Sequence, residues 1–382
     1  MKKSPAQFFS MVPLLKSAEI SSQEGNAVAI GAFNVNFYSQ AEGILDGLRR
    51  ADAPGIIQAS RGANQFQGGP DKIASMVKKA MENTNHLLPV ALHLDHGDDA
   101  KAHECVDNGY SSVMIDASKL DLEENINATR VIVQYAHPKG ISVEGEYGKL
   151  AGVEEDVIHK KTTYADPFHV PYFFNETGTD ALAVAYGTSH GPNKGKGLDY
   201  LAINVVDQSY RGMKAYGQNN DHFLVGHGSS TVPQEIVAEI NRYGGGIKNA
   251  AGIPLKKIQE AIEAGIRKLN IDTDLRLGIT ATFRKYFYDH PGIETDSPAV
   301  LKPIKKVLDE NPEVIDPRDY LKVINVELLR DDPAGTDLEE IMLLVKERIA
   351  THVEMLVHQF GCAGLEGKVE RISLEKMAKK YQ

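Results

Sequence analysis

Eight short apolar runs rich in β-formers, each followed by a stretch of helical periodicity, constrain this chain more than any other feature. The runs occupy residues 27–33, 55–59, 90–95, 111–115, 141–144, 181–186, 222–226 and 266–271. Amphipathic stretches lie between them, at 71–83, 98–108, 122–137 and 254–264 among others. Strand then helix, repeated eight times, is the pattern of a closed parallel barrel, so the expected fold is α/β, a (β/α)8 barrel. An open doubly wound sheet more often carries a Gly-rich turn after its first strand, and none occurs here.

Beyond residue 288 the strand signals stop. Helices are expected at 297–310, 317–329 and 336–358, the last opened by Thr336 and Glu339 at capping-box spacing. Leu338, Ile341, Val345, Ile349 and Val353 give this last helix one apolar face, which must be buried on the barrel's outer wall or on a second subunit. No low-complexity linker interrupts the chain. Residues 1–382 are therefore read as one barrel domain, with 289–382 a helical C-terminal extension.

With 42% hydrophobic and 25% charged residues, the 382-residue chain has material for a large core. A formal charge of −10, with no Lys/Arg run, argues against nucleic acid or an anionic membrane as partner. Cys105 and Cys362 are too few for a disulfide framework or a cysteine zinc site, which suits a reducing compartment. The N-terminal apolar stretch is broken by Ser10, Pro13 and Lys16 and reads as a first helix, not a signal peptide, and no segment is long enough to span a bilayer. A cytoplasmic protein is expected.

In such a barrel the active site forms where the strands end. Polar residues gather there: Asn34, Ser60, Asp95 with His96, Asp116, Glu144 with Glu146, Ser189 with His190, His227, then Asn270, Asp272 and Thr273. Any one histidine, taken singly, is better explained as a hydrogen-bonded rim residue. Three of them, His96, His190 and His227, each beside a glycine just past a strand, form the ligand set of a catalytic zinc with an open position. Neighbours in a strand point to opposite faces, so Asp95 and His96 reach one site only if the strand unwinds at its end, which Gly97 permits. Asp95 is then an acid/base beside the metal, or a partner that orients a histidine ligand. The acidic, Gly-punctuated segment 144–156 lies where a lid would lie, with Glu154 and Glu155 both candidates for a delivered base. The turn 226–230, Gly-His-Gly-Ser-Ser, and the segment 270–273 follow the last two strands, where barrels commonly bind phosphate.

With HLDHG at 93–97, GTSHG at 187–191, GHGSS at 226–230 and NIDTDLRL at 270–277, the sequence resembles the class II fructose-bisphosphate aldolases. It is most similar to the branch with HLDHG and an HGSS turn, which includes Calvin-cycle-type enzymes. The resemblance implies reversible cleavage of fructose 1,6-bisphosphate to dihydroxyacetone phosphate and glyceraldehyde 3-phosphate through a zinc-bound enediolate. It implies His96, His190 and His227 as zinc ligands, Asp95 as the acid/base at the C4 oxygen, and Glu154, eight residues on from Glu146, as the loop base. Asp116 and Glu146 match the ligands of a second divalent metal, and a monovalent cation is implied as well. Gly191, Gly228, Ser229, Ser230, Asn270, Asp272 and Thr273 match positions that bind the dihydroxyacetone phosphate half, and Ser60 and Lys194 match further substrate contacts. Arg276, six residues after Asn270, matches an arginine that reaches a neighbouring subunit's site, which implies a homodimer or homotetramer.

The sequence departs from the family's pattern at GHGSS, where many relatives have HGGSG, and at 162–179. These departures bear on loop geometry and sugar preference, so tagatose and sedoheptulose bisphosphates are rival substrates. Two readings from other classes are a zinc hydrolase and a non-catalytic barrel subunit that stabilises a partner enzyme.

Overall fold

The computed structural model describes residues 7–84, 87–149, 152–154, 157–159, 163–189, 191, 201–216, 221–294 and 300–382. Its strands are β1 (Ile30–Asn34), β2 (Gly55–Ser60), β3 (Val90–Gly97), β4 (Ser112–Ile115), β5 (Ser142–Tyr147), β6 (Gly152–Glu154), β7 (Val157–His159), β8 (Ala181–Val184), β9 (Phe223–Gly226) and β10 (Ile266–Ile271). Eight of them close a parallel barrel in the order β1-β2-β3-β4-β5-β8-β9-β10, with β10 returning to β1. β6, inside the acidic segment expected to be a lid, pairs antiparallel with β7 just beyond it, a hairpin too short to stand out as strand periodicity.

Each barrel run of the sequence became a strand, and the helices between them begin where capping chemistry allows. Asp98 accepts a hydrogen bond from Lys101 N–H at the start of helix Asp99–Asp107, and Asp121 does the same for Glu124 N–H before helix Leu122–Ala136. Every barrel strand is buried on both faces, because an outer ring of helices covers the sheet.

Helix Met11–Gln23 sits against the N-terminal end of the barrel. Met11 N–H donates to the Ser142 hydroxyl at 3.1 Å, and Met11, Leu14, Leu15 and Ala18 are fully buried. Lower on the same side, Glu19 pairs with Arg267 at 2.6 Å. The C-terminal residues dock on this face too: Tyr381 donates to Asp180 Oδ1 at 2.8 Å and stacks on His137 at 3.6 Å between ring centroids.

The C-terminal extension packs on the barrel's outer wall. Helix Glu339–Gln359 lies along helix Tyr38–Arg50, with Leu338, Ile341, Val345, Ile349 and Val353 all buried. The two backbones approach closely at Gly43 and Gly47, where an added Cβ would stand 2.7 Å from Lys346 O and 2.6 Å from Ala350 O respectively. Arg284, buried in helix Thr273–Asp289, donates to the carbonyls of Gly244, Leu308, Asn311 and Pro312 and so ties the extension to the barrel.

Helix boundaries in the extension differ from expectation. The helix expected at 297–310 is described as Leu301–Glu310, with 297–299 outside the described residues. The expected 317–329 helix is a short turn of helix, Pro317–Leu321, followed by a 3-10 turn, Val326–Leu329. The last long helix opens at Glu339, three residues after Thr336. A turn at Gly335, which has φ 76°, directs Gly335 N–H to Glu339 Oε2, and the Thr336 hydroxyl donates to Pro333 O, so no reciprocal capping box forms. Among the described residues no helix is long and apolar enough to cross a membrane.

Replacing Gly47 with valine forces branched carbons into the Ala350 and Val353 contacts. The expected loss is about 2 kcal/mol of stability, read as a lower denaturant midpoint. Gly367→Ala, where nothing lies within 4 Å of the new Cβ, should leave the midpoint unchanged.

Candidate active site

Strand alternation places every second residue on the barrel axis. Near the C-terminal ends those residues are Asn34, Gln58, Ser60, His93, Asp95, Glu144, Glu146, Lys268 and Asn270, all buried. Contacts between strands that are not neighbours show that they face inward: Asn270 on β10 donates to Asp95 Oδ1 on β3 at 2.9 Å, and Lys268 on β10 reaches Glu144 on β5 at 2.8 Å.

Asp95 is held by three side-chain amides. Besides Asn270, Asn34 Nδ2 donates to Oδ2 at 3.0 Å and Gln58 Nε2 to the same oxygen at 3.3 Å. Asn34 is fixed in turn, its Oδ1 accepting from Gln58 at 2.6 Å and its main-chain carbonyl accepting from Gln40 at 2.7 Å. The carboxylate therefore has little rotational freedom.

His96 joins Asp95 through a distortion at His96 itself. Its φ is +49°, a left-handed conformation uncommon for a side chain of this size, and the β3–β4 register slips between Leu94 and Gly97. The expected unwinding at Gly97 is thus replaced by a bulge one residue earlier. Gly97 serves close packing, since a Cβ there would meet Met114 O at 2.6 Å.

The His96 and His227 rings meet edge-on with centroids 4.7 Å apart. Asp95, His96 and His227 bring candidate ligand atoms within 4.8 Å of one another, and so do His96, Asp116 and Glu146. His96 belongs to both groups. Its Nδ1 is 3.0 Å from Asp116 Oδ2 and 3.5 Å from Glu146 Oε2. His227 Nε2 is 2.9 Å from Glu144 Oε1. Imidazole nitrogens with carboxylate oxygens are the donor set of a borderline divalent ion such as zinc, and the neutral imidazole is the form that binds. Burial favours that form at His227 by pushing its pKa below the ordinary value, against the pull of Glu144. Burial also opposes ionisation of Glu144 and Asp116. Lys268 and His227 outweigh it at Glu144, and His96 with Ser118 outweighs it at Asp116, so both carboxyls titrate well below the usual range.

The loop after β9 is folded against the loop after β8. Gly228 has φ 60°, and a Cβ there would stand 2.6 Å from Ser189 O. Gly191, with φ 82°, has open space around it. Ser229 Oγ turns back to Gly226 O at 2.9 Å, and Ser230 Oγ accepts from Asp272 N–H at 3.3 Å. Thr273 opens helix Thr273–Asp289, so its N-terminal N–H groups face the same mouth. Ser60 caps the short helix after β2, accepting from Ala63 N–H. Arg276 pairs within its own chain with Asp272 and with Asp316, each at 2.5 Å. His190, Lys194 and Glu155 lie outside the described residues, and of Glu154 the backbone alone is described, in β6.

Four contributors escaped the sequence reading, three of them on the barrel axis. Gln58, His93 and Lys268 lie inside strands, and a search of strand ends passes over them. The signal was present as polar residues two apart, as in His93/Asp95 and Lys268/Asn270. Asp274 was also missed. It is fully buried and accepts from Thr231 N–H, the Thr231 hydroxyl and Val232 N–H at 2.7–2.9 Å, fixing the chain just past the 226–230 turn.

A (β/α)8 barrel with imidazoles and carboxylates converging at its C-terminal mouth is a metal-dependent enzyme scaffold. The family described as fructose-bisphosphate aldolase class-II matches residues 18–364. A fructose-bisphosphate aldolase from Giardia intestinalis is 36% identical over 92% of this chain and 94% of its own length. One from Nostoc sp. is 34% identical over 97% and 96%. The chain belongs to the class II fructose-bisphosphate aldolase family and is a lyase, and membership implies a divalent metal. Among solved structures, a Campylobacter jejuni fructose-bisphosphate aldolase matches with a TM-score of 0.65 at 21% identity, covering 95% of this chain and 98% of that one. The YdjI aldolase of Escherichia coli matches at 0.62 and 23%, covering 95% of this chain and all of the other. These two show the same fold.

His93 is buried and neutral, its pKa driven well below the ordinary value by burial and by the Lys268 charge. Unfolded, it takes up a proton below about pH 6.5. Its contribution to stability is therefore full above that pH and falls below it, by at most about 1.4 kcal/mol per pH unit. Apo-protein melting temperatures between pH 7.5 and 5.5 should fall more steeply in the wild type than in His93→Gln. Equal slopes would exclude a neutral buried His93.

Proposed function

We propose that this protein is a zinc-dependent aldolase that reversibly cleaves fructose 1,6-bisphosphate to dihydroxyacetone phosphate and glyceraldehyde 3-phosphate. The observation that carries the reading is Asp95, fixed by three amides within ligand distance of His96 and His227 at the barrel mouth. His96 and His227, with His190, are the residues that would hold the ion. Its charge, when bound, supplies a Lewis acid for the negative charge that develops on the ketose carbonyl oxygen.

The rest of the chemistry falls to side chains. Asp95 accepts the proton of the C4 hydroxyl, the C3–C4 bond breaks, and its electron pair stays with the three-carbon phosphate half as an enediolate while the aldehyde departs. Glu154, on the hairpin segment, then manages the proton at C3. Gly191, Gly228, Ser229, Ser230, Asn270, Asp272 and Thr273 take the dihydroxyacetone phosphate half, supported by the packed loops after β8 and β9 and the helix N-terminus at Thr273. Ser60 and Lys194 are assigned to the remaining substrate contacts.

Asp116 and Glu146, gathered around His96, form a second divalent position, and a monovalent cation completes the set. Residues 1–382 act as one barrel domain with 289–382 as its extension, supported by the hydrophobic core that runs through both. The working assembly is a cytoplasmic homodimer or homotetramer, with Arg276 meeting the far phosphate in a neighbour's site.

Coupled assays of fructose, tagatose and sedoheptulose bisphosphates, each with and without chelator, test metal and sugar together. Fructose 1,6-bisphosphate should be cleaved fastest, and all turnover should vanish on chelation. Asp95→Ala should retain metal and lose about 10²–10⁴-fold in kcat, whereas His227→Ala should lose the metal. Full activity after exhaustive chelation would overturn the mechanism, and faster cleavage of another ketose would reassign the sugar.

A further inference from the structure

Below the candidate metal centre, the interior of the barrel carries a polar column where branched aliphatic side chains would ordinarily fill a layer. Lys268 and Glu144 are fully buried and paired at 2.8 Å between Nζ and Oε2. The other carboxylate oxygen, Oε1, is 2.9 Å from His227 Nε2. On its far side Lys268 Nζ is 3.3 Å from His93 Nε2, and His93 Nδ1 is 2.8 Å from the Ser112 hydroxyl. Burying an ion pair carries a desolvation penalty that an aliphatic layer of the same volume avoids, so stability alone does not account for this one.

The hydrogen-bonding roles along the column follow from what each group can do. An ammonium only donates, so His93 Nε2 accepts from Lys268 and His93 Nδ1–H donates to Ser112. A carboxylate only accepts, so both Lys268 and His227 Nε2–H donate to Glu144. That fixes the tautomer of His227 with its lone pair on Nδ1, the ring nitrogen turned from Glu144.

We propose that Glu144 is a positioning residue for the metal: it sets the tautomer and ring orientation of His227, and Lys268 holds Glu144 in place as a carboxylate. The proposal rests on the reading that His227 is a metal ligand. Carboxylates that accept from a ligating imidazole typically govern metal affinity by 10–100-fold. Glu144 touches neither substrate nor metal in this scheme. It acts through His227.

The test is metal affinity, measured on full-length apo-protein by competition for Zn2+ with a chromophoric chelator, alongside apo melting temperature and the visible spectrum of the Co2+-loaded protein. Glu144→Gln keeps the size of the side chain but offers His227 an ambiguous partner. It should weaken Zn2+ binding 10–100-fold and alter the Co2+ spectrum. Removing the ion pair as a unit in Glu144→Gln/Lys268→Met avoids a stranded charge, and the same loss of affinity is expected should the single variant fail to fold. Wild-type Zn2+ affinity in a folded Glu144 variant, whatever its melting temperature, would overturn the proposal. His227→Ala separates this failure from that of the underlying reading: if it too binds Zn2+ as tightly as wild type, His227 is not a ligand at all.

Discussion

Closure of eight parallel strands turns every second residue of each strand onto one axis, and in this protein that axis is polar over its C-terminal half. Such groups are buried, so each needs hydrogen-bond partners within the barrel. Lys268 has Glu144 and His93, and Asp95 has Asn34, Gln58 and Asn270. Lys268 and Asn270 on β10 meet partners on β3 and β5, strands that do not neighbour β10, so this part of the network forms only once the barrel is closed. The site is thus preorganised by the same event that completes the fold.

Above that network, backbone distortion does what regular strands cannot. A regular β3 would send Asp95 and His96 to opposite faces. The left-handed His96 and the register slip beside it bring both to one rim. Val232 is also left-handed, with φ 49°, and its amide is anchored by buried Asp274. In both places conformations unfavourable by themselves persist because surrounding contacts over-determine them.

The barrel was legible because strand and helix periods differ, and eight alternations leave few architectures. Glycine-flanked histidines at strand ends singled out metal-ligand candidates, of which His96 and His227 lie together. Asp95 stood out beside them, but its three amide partners come from three strands, and pairing across a barrel has no local sequence signal. Lys268 reads as an ordinary charged residue until the register turns it inward. The capping-box spacing at Thr336 and Glu339 misplaced a helix start because a turn at Gly335 used the same glutamate differently. The extension's apolar face was plain from its i, i+3 and i, i+4 spacing, whereas its seat depends on Gly43 and Gly47, far upstream in the sequence.

Helix Met11–Gln23 lies across the N-terminal end of the barrel, with Tyr381 docked beside it. A chamber with a floor has one doorway. Whatever enters to react and whatever forms there must pass the same rim, at the C-terminal ends of the strands, so entry and exit compete for one opening.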